Sequence, residues 1–114
     1  GVVVYKGYYL PHKHRYRGVE RLDGKTVVIT GANTGIGKET ALELAKRGGR
    51  IILACRDMGK CRKAREDIIL STGNRHVVAR ECDLASFESI RKFADRINQE
   101  EPQVNILINN AGVM

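Results

Sequence analysis

Thr26-Val27-Val28-Ile29-Thr30-Gly31-Ala32-Asn33-Thr34-Gly35-Ile36-Gly37-Lys38-Glu39-Thr40-Ala41-Leu42-Glu43-Leu44-Ala45 changes period at a glycine-rich turn, and that change decides the fold. Thr26 to Ile29 is β-branched throughout, as in a strand buried on both faces of a parallel sheet. From Gly35 onward Ile36, Thr40, Ala41, Leu44 and Ala45 recur at helical spacing on one face. Gly31, Gly35 and Gly37 therefore mark a strand-to-helix turn. The first amides of such a helix lack partners, and with the helix dipole they form a site for a pyrophosphate.

The alternation continues outward from this turn. Strands are expected at 26–30, 51–55, 76–81 and 104–108, with helices at about 36–48, 58–71 and 86–100. Asp57 and Ser86 are the expected N-caps. Gly48-Gly49 and Thr72-Gly73-Asn74 end the first two helices, and Pro102 follows the third. Phe87, Ile90, Ala94 and Ile97, with Phe93 beside them, form the apolar face of that third helix. The order β-α-β-α-β-α-β implies right-handed crossovers and a parallel sheet with helices on both faces, the first half of a Rossmann-type fold. In a sheet ending at its fourth strand, Val104-Asn105-Ile106-Leu107-Ile108 becomes an exposed edge, so the chain reads as a portion of a longer protein.

Composition sets outer limits. The 114 residues suit one small domain, and no apolar run is long enough to span a bilayer. The net charge is +7. Three of those charges fall in residues 1–24, where Lys6, Lys13, Arg15, Arg17 and Arg21 outweigh Glu20 and Asp23. This first segment also holds all four tyrosines and shows neither helical nor strand period, so it reads as a tail or linker separate from a core that starts at Lys25. Interleaved tyrosines and cations suit nucleic acid only on a structured platform, and none is apparent, so no nucleic-acid partner is expected. Cys55, Cys61 and Cys82 lack a Cys-x-x-Cys pair and a histidine at ligand spacing. They read as small buried hydrophobes in a reducing compartment, with no disulfide framework and no metal site.

Three phosphate-binding patterns compete for the glycine turn. Gly-x-Gly-x-x-Gly is absent. The P-loop pattern is approached by Gly37-Lys38, but its first glycine position holds Ala32 and its Mg²⁺-binding hydroxyl position holds Glu39, whose charge repels a triphosphate. Thr30-Gly31-x-x-x-Gly35-x-Gly37 after the first strand, Asp83-Leu84 after the third and Asn109-Asn110-Ala111-Gly112 after the fourth resemble, in this order, the short-chain dehydrogenase/reductase family. The resemblance implies a cofactor held by Gly31, Asn33, Thr34, Gly35, Ile36 and Gly37 at the turn, by Asp83 and Leu84 at the adenine, and by Asn110, Ala111 and Gly112. The second strand ends in Cys55-Arg56, where an NAD-binding protein places an acid for the ribose 2′-hydroxyl and an arginine accommodates the 2′-phosphate of NADP. NADP(H) is therefore the expected cofactor, provided that Asp57 caps its helix and does not oppose the phosphate.

Within the family, Ala54-Cys55-Arg56-Asp57, Asp83-Leu84-Ala85-Ser86 and Ile106 to Met114 are similar to the NADP-dependent retinol dehydrogenases. That likeness implies hydride exchange with retinol, retinal or another lipid alcohol or aldehyde. A non-catalytic scaffold or sensor of the same fold is the alternative. The family's Ser and Tyr-x-x-x-Lys lie well after the fourth strand, so no catalytic residue is expected in this chain. The likeness also carries an intracellular location and membrane association through the N-terminal segment, at the endoplasmic reticulum or mitochondrion.

Overall fold

The computed structural model describes residues 3–6, as backbone alone, together with 21–32 and 35–109. The two β-branched runs form the middle of the fold. β2 (Thr26–Thr30) is buried throughout and β3 (Arg50–Cys55) is buried from Ile51. With β1 (Val3–Lys6), β4 (Val77–Glu81) and β5 (Ile106–Asn109) they build a parallel sheet of order β1-β5-β2-β3-β4. The connections from β2 through β5 are α1 (Gly35–Lys46), α2 (Met58–Thr72) and α3 (Phe87–Glu100).

Alternation along the strands divides the core into two layers. Val27, Ile29, Ile51 and Leu53 pack with Ala41, Leu44 and Ala45 of α1 and Cys61, Ala64 and Ile68 of α2. Val28 and Ile52 face the other way, with Val78 and Leu107, onto Ile97 and Phe93 of α3. Helices thus cover both faces, as expected. Burying each Ile or Leu of these strands contributes about 2 kcal/mol. On the α3 side an apolar groove of about 390 Å³ remains between Val28, Leu107, Phe93 and Ile97. Phe87 and Ile36, expected on buried faces, are exposed instead. Each lies in the first turn of its helix, ahead of the residues that reach the sheet.

The caps fall where the sequence puts them. Asp57 Oδ1 accepts from the Lys60 N–H at 3.1 Å, and Ser86 Oγ accepts from the Ser89 N–H at 3.2 Å. Gly73 takes φ +77° and donates to the Ile69 carbonyl at 2.8 Å, which closes α2 with a left-handed residue that any side chain would strain. α1 stops two residues early, at Lys46, because the Arg47 and Gly48 amides bond back to Leu44 and Ala45. β5 starts two residues late because Asn105 is occupied with β2. Its amide donates to the Thr26 carbonyl at 2.9 Å, and its Oδ1 accepts from the Thr26 N–H at 2.8 Å.

Three expectations need correction. The segment 1–24 is not wholly separate from the core: Val3–Lys6 pairs in parallel with β5, from Val3↔Ile106 to Lys6↔Asn109. The edge expected at 104–108 is thereby covered, since the β-branched and aromatic Val3-Val4-Tyr5 suits a strand too short to show a period. Leu22 is also buried, held by its amide on the Arg47 carbonyl at 2.8 Å, so the body starts before Lys25. Cys55 and Cys61, read as unpaired, form a disulfide with Cα atoms 5.9 Å apart. The end of β3 and the first turn of α2 fold these positions onto one another, a proximity that Cys-x₅-Cys spacing hides. Cys82 is free and buried, and burial, followed by the charge of Asp83, pushes its thiol up.

Candidate functional site

Parallel pairing brings the C-terminal ends of β2, β3, β4 and β5 to one edge of the sheet. Register sets Thr30 beside Ala54 on one side and beside Asn109 on the other. The Gly31 amide donates to the Ala54 carbonyl at 3.0 Å, and the Cys82 amide to the Cys55 carbonyl at 2.8 Å. Consequently the glycine turn, the Arg56 segment, Asp83 and the Asn109 segment open side by side. In an open α/β sheet this edge is where ligands bind.

The glycine turn suits an anion. Gly31 and Gly35 have φ of +61° and +57°, and nothing lies within 4 Å of where a Cβ on Gly35 would stand. That open cradle lies at the first turn of α1, where amides lack helical partners. Gly37 is buried within α1, and Ile36 is 42% exposed beside it. Lys38, the next residue, is turned away toward α2, its Nζ 2.7 Å from Asp67 Oδ2. That hydrogen bond holds the Asp67 carboxyl below its ordinary range. Asn33 and Thr34 lie outside the described residues.

Arg56 follows β3 directly, exposed, in an open pocket of about 550 Å³ lined by Arg56, Asp57, Met58 and Lys60. Its guanidinium has no ion pair or hydrogen bond among the described residues. The condition set on Asp57 is met, because its carboxylate is bound into the α2 cap. Across the sheet end, Asp83 is half-buried in a short turn, with Oδ1 accepting from the Ala85 amide at 3.0 Å. Its own amide donates to Ser89 Oγ at 2.8 Å. Leu84 beside it is 41% exposed. Thr30 Oγ1 donates to Asn109 Oδ1 at 3.0 Å, which ties the start of the glycine turn to the end of β5. Asn110, Ala111 and Gly112 lie outside the described residues.

Ser89 and Lys60 carry no motif in the sequence, and each is the third residue of the helix that follows a predicted site residue, six positions after Asp83 and four after Arg56. Tyr9 and Lys13 do have the Tyr-x-x-x-Lys offset. They precede the glycine turn, enclose Pro11 and lie outside the described residues. The edge as a whole presents a positive φ cradle at a helix start, a guanidinium unpaired among the described residues at the adjoining strand end and a fixed acid one strand further on. Such an edge suits a dinucleotide.

Residues 25–114 match the family model described as short chain dehydrogenase. Retinol dehydrogenase 13 of Homo sapiens is 68% identical over 93 residues, which cover 82% of this chain and 28% of that protein. Menthone neomenthol reductase from Mentha piperita is 37% identical with a TM-score of 0.71, covering 75% of this chain and 31% of that structure. A short chain dehydrogenase from Escherichia coli complexed with NADPH is 30% identical with a TM-score of 0.73, covering 80% and 38%. The chain spans less than a third of the length of the curated relatives that it matches.

Proposed function

The chain belongs to the short-chain dehydrogenase family, and on that premise we propose that it is the NADP(H)-holding part of an oxidoreductase acting on retinol, retinal or a similar lipid alcohol or aldehyde. The observation that carries the cofactor choice is Arg56. It is exposed at the end of β3, where an NAD-binding protein keeps an acid, with no ion pair or hydrogen bond among the described residues, and the carboxylate next to it, Asp57, is spent on a helix cap. The α1 start and its glycines hold the diphosphate. Arg56 holds the 2′-phosphate, and Asp83 with Leu84 flanks the adenine. The bound nicotinamide supplies the hydride chemistry, and the residues of this chain fix where it is presented. The substrate class rests on the 68% identity with retinol dehydrogenase 13.

Equilibrium titration with NADPH and NADH tests the cofactor assignment. Arg56→Ala is expected to weaken NADPH binding about ten- to a hundredfold, the size of a charge-assisted hydrogen bond to phosphate, and to leave NADH unchanged. An unaltered preference for NADPH in that variant overturns the assignment. For the substrate, NADPH-dependent reduction of retinal by the whole polypeptide is the expected result.

A further inference from the structure

The pocket beside Arg56 has a second cation on its rim. Lys60 enters from the first turn of α2, four residues beyond Arg56, and both line the same open pocket. Its backbone amide is given to Asp57 Oδ1, while its ammonium has no ion pair or hydrogen bond among the described residues. Most neighbouring cations differ in this respect, and Arg62, which shares it among the described residues, is not among the residues that line the pocket. Lys38 and Lys63 are drawn to Asp67 at 2.7 and 3.6 Å, and Arg65 Nε donates to the Val77 carbonyl at 2.8 Å. Asp57, the one anion among the described residues that line the pocket, is directed into the helix start, where the dipole and a backbone amide offset its charge. The segment is also closed at both ends. The disulfided cysteines stand immediately before Arg56 and immediately after Lys60, so the backbones of the two cations cannot spread apart.

We propose that Lys60 is a second specificity-determining residue, which takes the 2′-phosphate monoester of the cofactor together with Arg56. A phosphate monoester carries close to two negative charges at neutral pH and has three acceptor oxygens, enough for a guanidinium fork and a separate ammonium. Arg56 supplies planar, directed donors, and Lys60 adds a point charge from the helix side. This assignment rests on the reading of Arg56 above.

The test is equilibrium binding of NADPH and NADH to the protein with Lys60→Gln, Lys60→Arg and Arg56→Ala, with a thermal melt of each. Lys60→Gln keeps the backbone cap and an exposed polar side chain, so its melting curve is expected to match the parent. NADPH binding is expected to weaken roughly tenfold with NADH unaffected, and Lys60→Arg to retain most of the affinity. Arg56→Ala with Lys60→Gln is expected to lose less than the product of the single losses if both grip one phosphate. If Arg56→Ala alters the NADPH preference while Lys60→Gln does not, Lys60 has no such role and the reading of Arg56 stands. If Lys60→Gln weakens both cofactors equally, or Lys60→Arg is as weak as Lys60→Gln, the 2′-phosphate assignment is overturned. If Arg56→Ala leaves the preference unchanged, both readings fall together.

Discussion

Asn74 joins three elements with one side chain, and replacing it separates the stability of the fold from the chemistry of the site. Its Nδ2 donates to the Ala45 carbonyl at 3.0 Å and to the Gly49 carbonyl at 2.8 Å, and its Oδ1 accepts from the His76 N–H at 2.7 Å. The carboxamide therefore closes the end of α1 and the entry to β3 from the turn after α2. Asn74→Ala removes three hydrogen bonds of about 1 kcal/mol each, and water recovers part of the loss at the exposed His76 amide, so a cost of about 2 kcal/mol follows. For a domain of this size that lowers the melting temperature by roughly 8–16 °C. Asn74→Asp keeps the acceptor for His76 but sets a carboxylate against two carbonyls at the C-terminal end of α1, so at pH 7 it costs at least as much as Ala. Those carbonyls raise the folded-state pKa of the new acid. Its deficit relative to Asn is therefore full above that pKa and shrinks as pH falls through it, when the protonated acid regains one donor. Urea unfolding followed by circular dichroism at pH 7 and pH 4.5 measures both effects. The lock lies at the end of α1 and β3 opposite the site, so NADPH affinity of the folded variants is expected to stay within about twofold of the parent. An Asn74→Ala cost below about 0.5 kcal/mol, or an Asn74→Asp variant as stable as the parent at pH 7, would refute the lock.

Glu101→Gln is expected to cost about 2 kcal/mol in the same assay, because Arg50 holds both oxygens of the buried Glu101 carboxylate at 2.7 Å. Pairing Arg50→Met with Glu101→Leu is expected to recover most of that loss, and failure to recover would show that the fork contributes more than its own charges. Thr30→Val removes the donor to Asn109 and is expected to cost about 1 kcal/mol. Asp67→Asn is expected to destabilise at neutral pH and to converge on the parent in acid. The folded-state pKa of Asp67 lies below the ordinary 3.8, so its contribution is complete above that value and is lost as pH falls through the lower folded pKa. A gap that persists unchanged at pH 2 refutes the ion-pair account.

Most of the architecture was legible because it depends on near neighbours in the chain. The β-branched run at Thr26, the caps at Asp57 and Ser86 and the left-handed Gly73 are local statements, and the structure realises each within a residue or two. Apart from the exposed first-turn residues Ile36 and Phe87, the misreadings are matters of long range or folding back. The four residues of β1 show no period of their own and gain meaning only beside β5. Cys55 and Cys61 are brought together by a strand end meeting a helix start, and the Arg50–Glu101 fork spans 51 residues.

The site divides along the same line. A backbone cradle for a diphosphate must be written locally, because it needs positive φ at fixed offsets from a helix start, and Gly31 and Gly35 state that requirement on their own. A side-chain contact with a 2′-phosphate carries no such signature. Arg56 is marked in the sequence only by its place after the second strand, and it is the pairing of β3 with β2, with the Gly31 amide on the Ala54 carbonyl, that sets its segment beside the glycine turn. Asp57 could equally have opposed the phosphate until the helix start claimed its carboxylate. Whether a given cation belongs to the cofactor thus depends on which neighbouring acids are already taken. Lys38 and Lys63 share Asp67, whereas Arg56 and Lys60 have no ion pair or hydrogen bond among the described residues and line one pocket where β3 runs into α2, which makes both available to a ligand there.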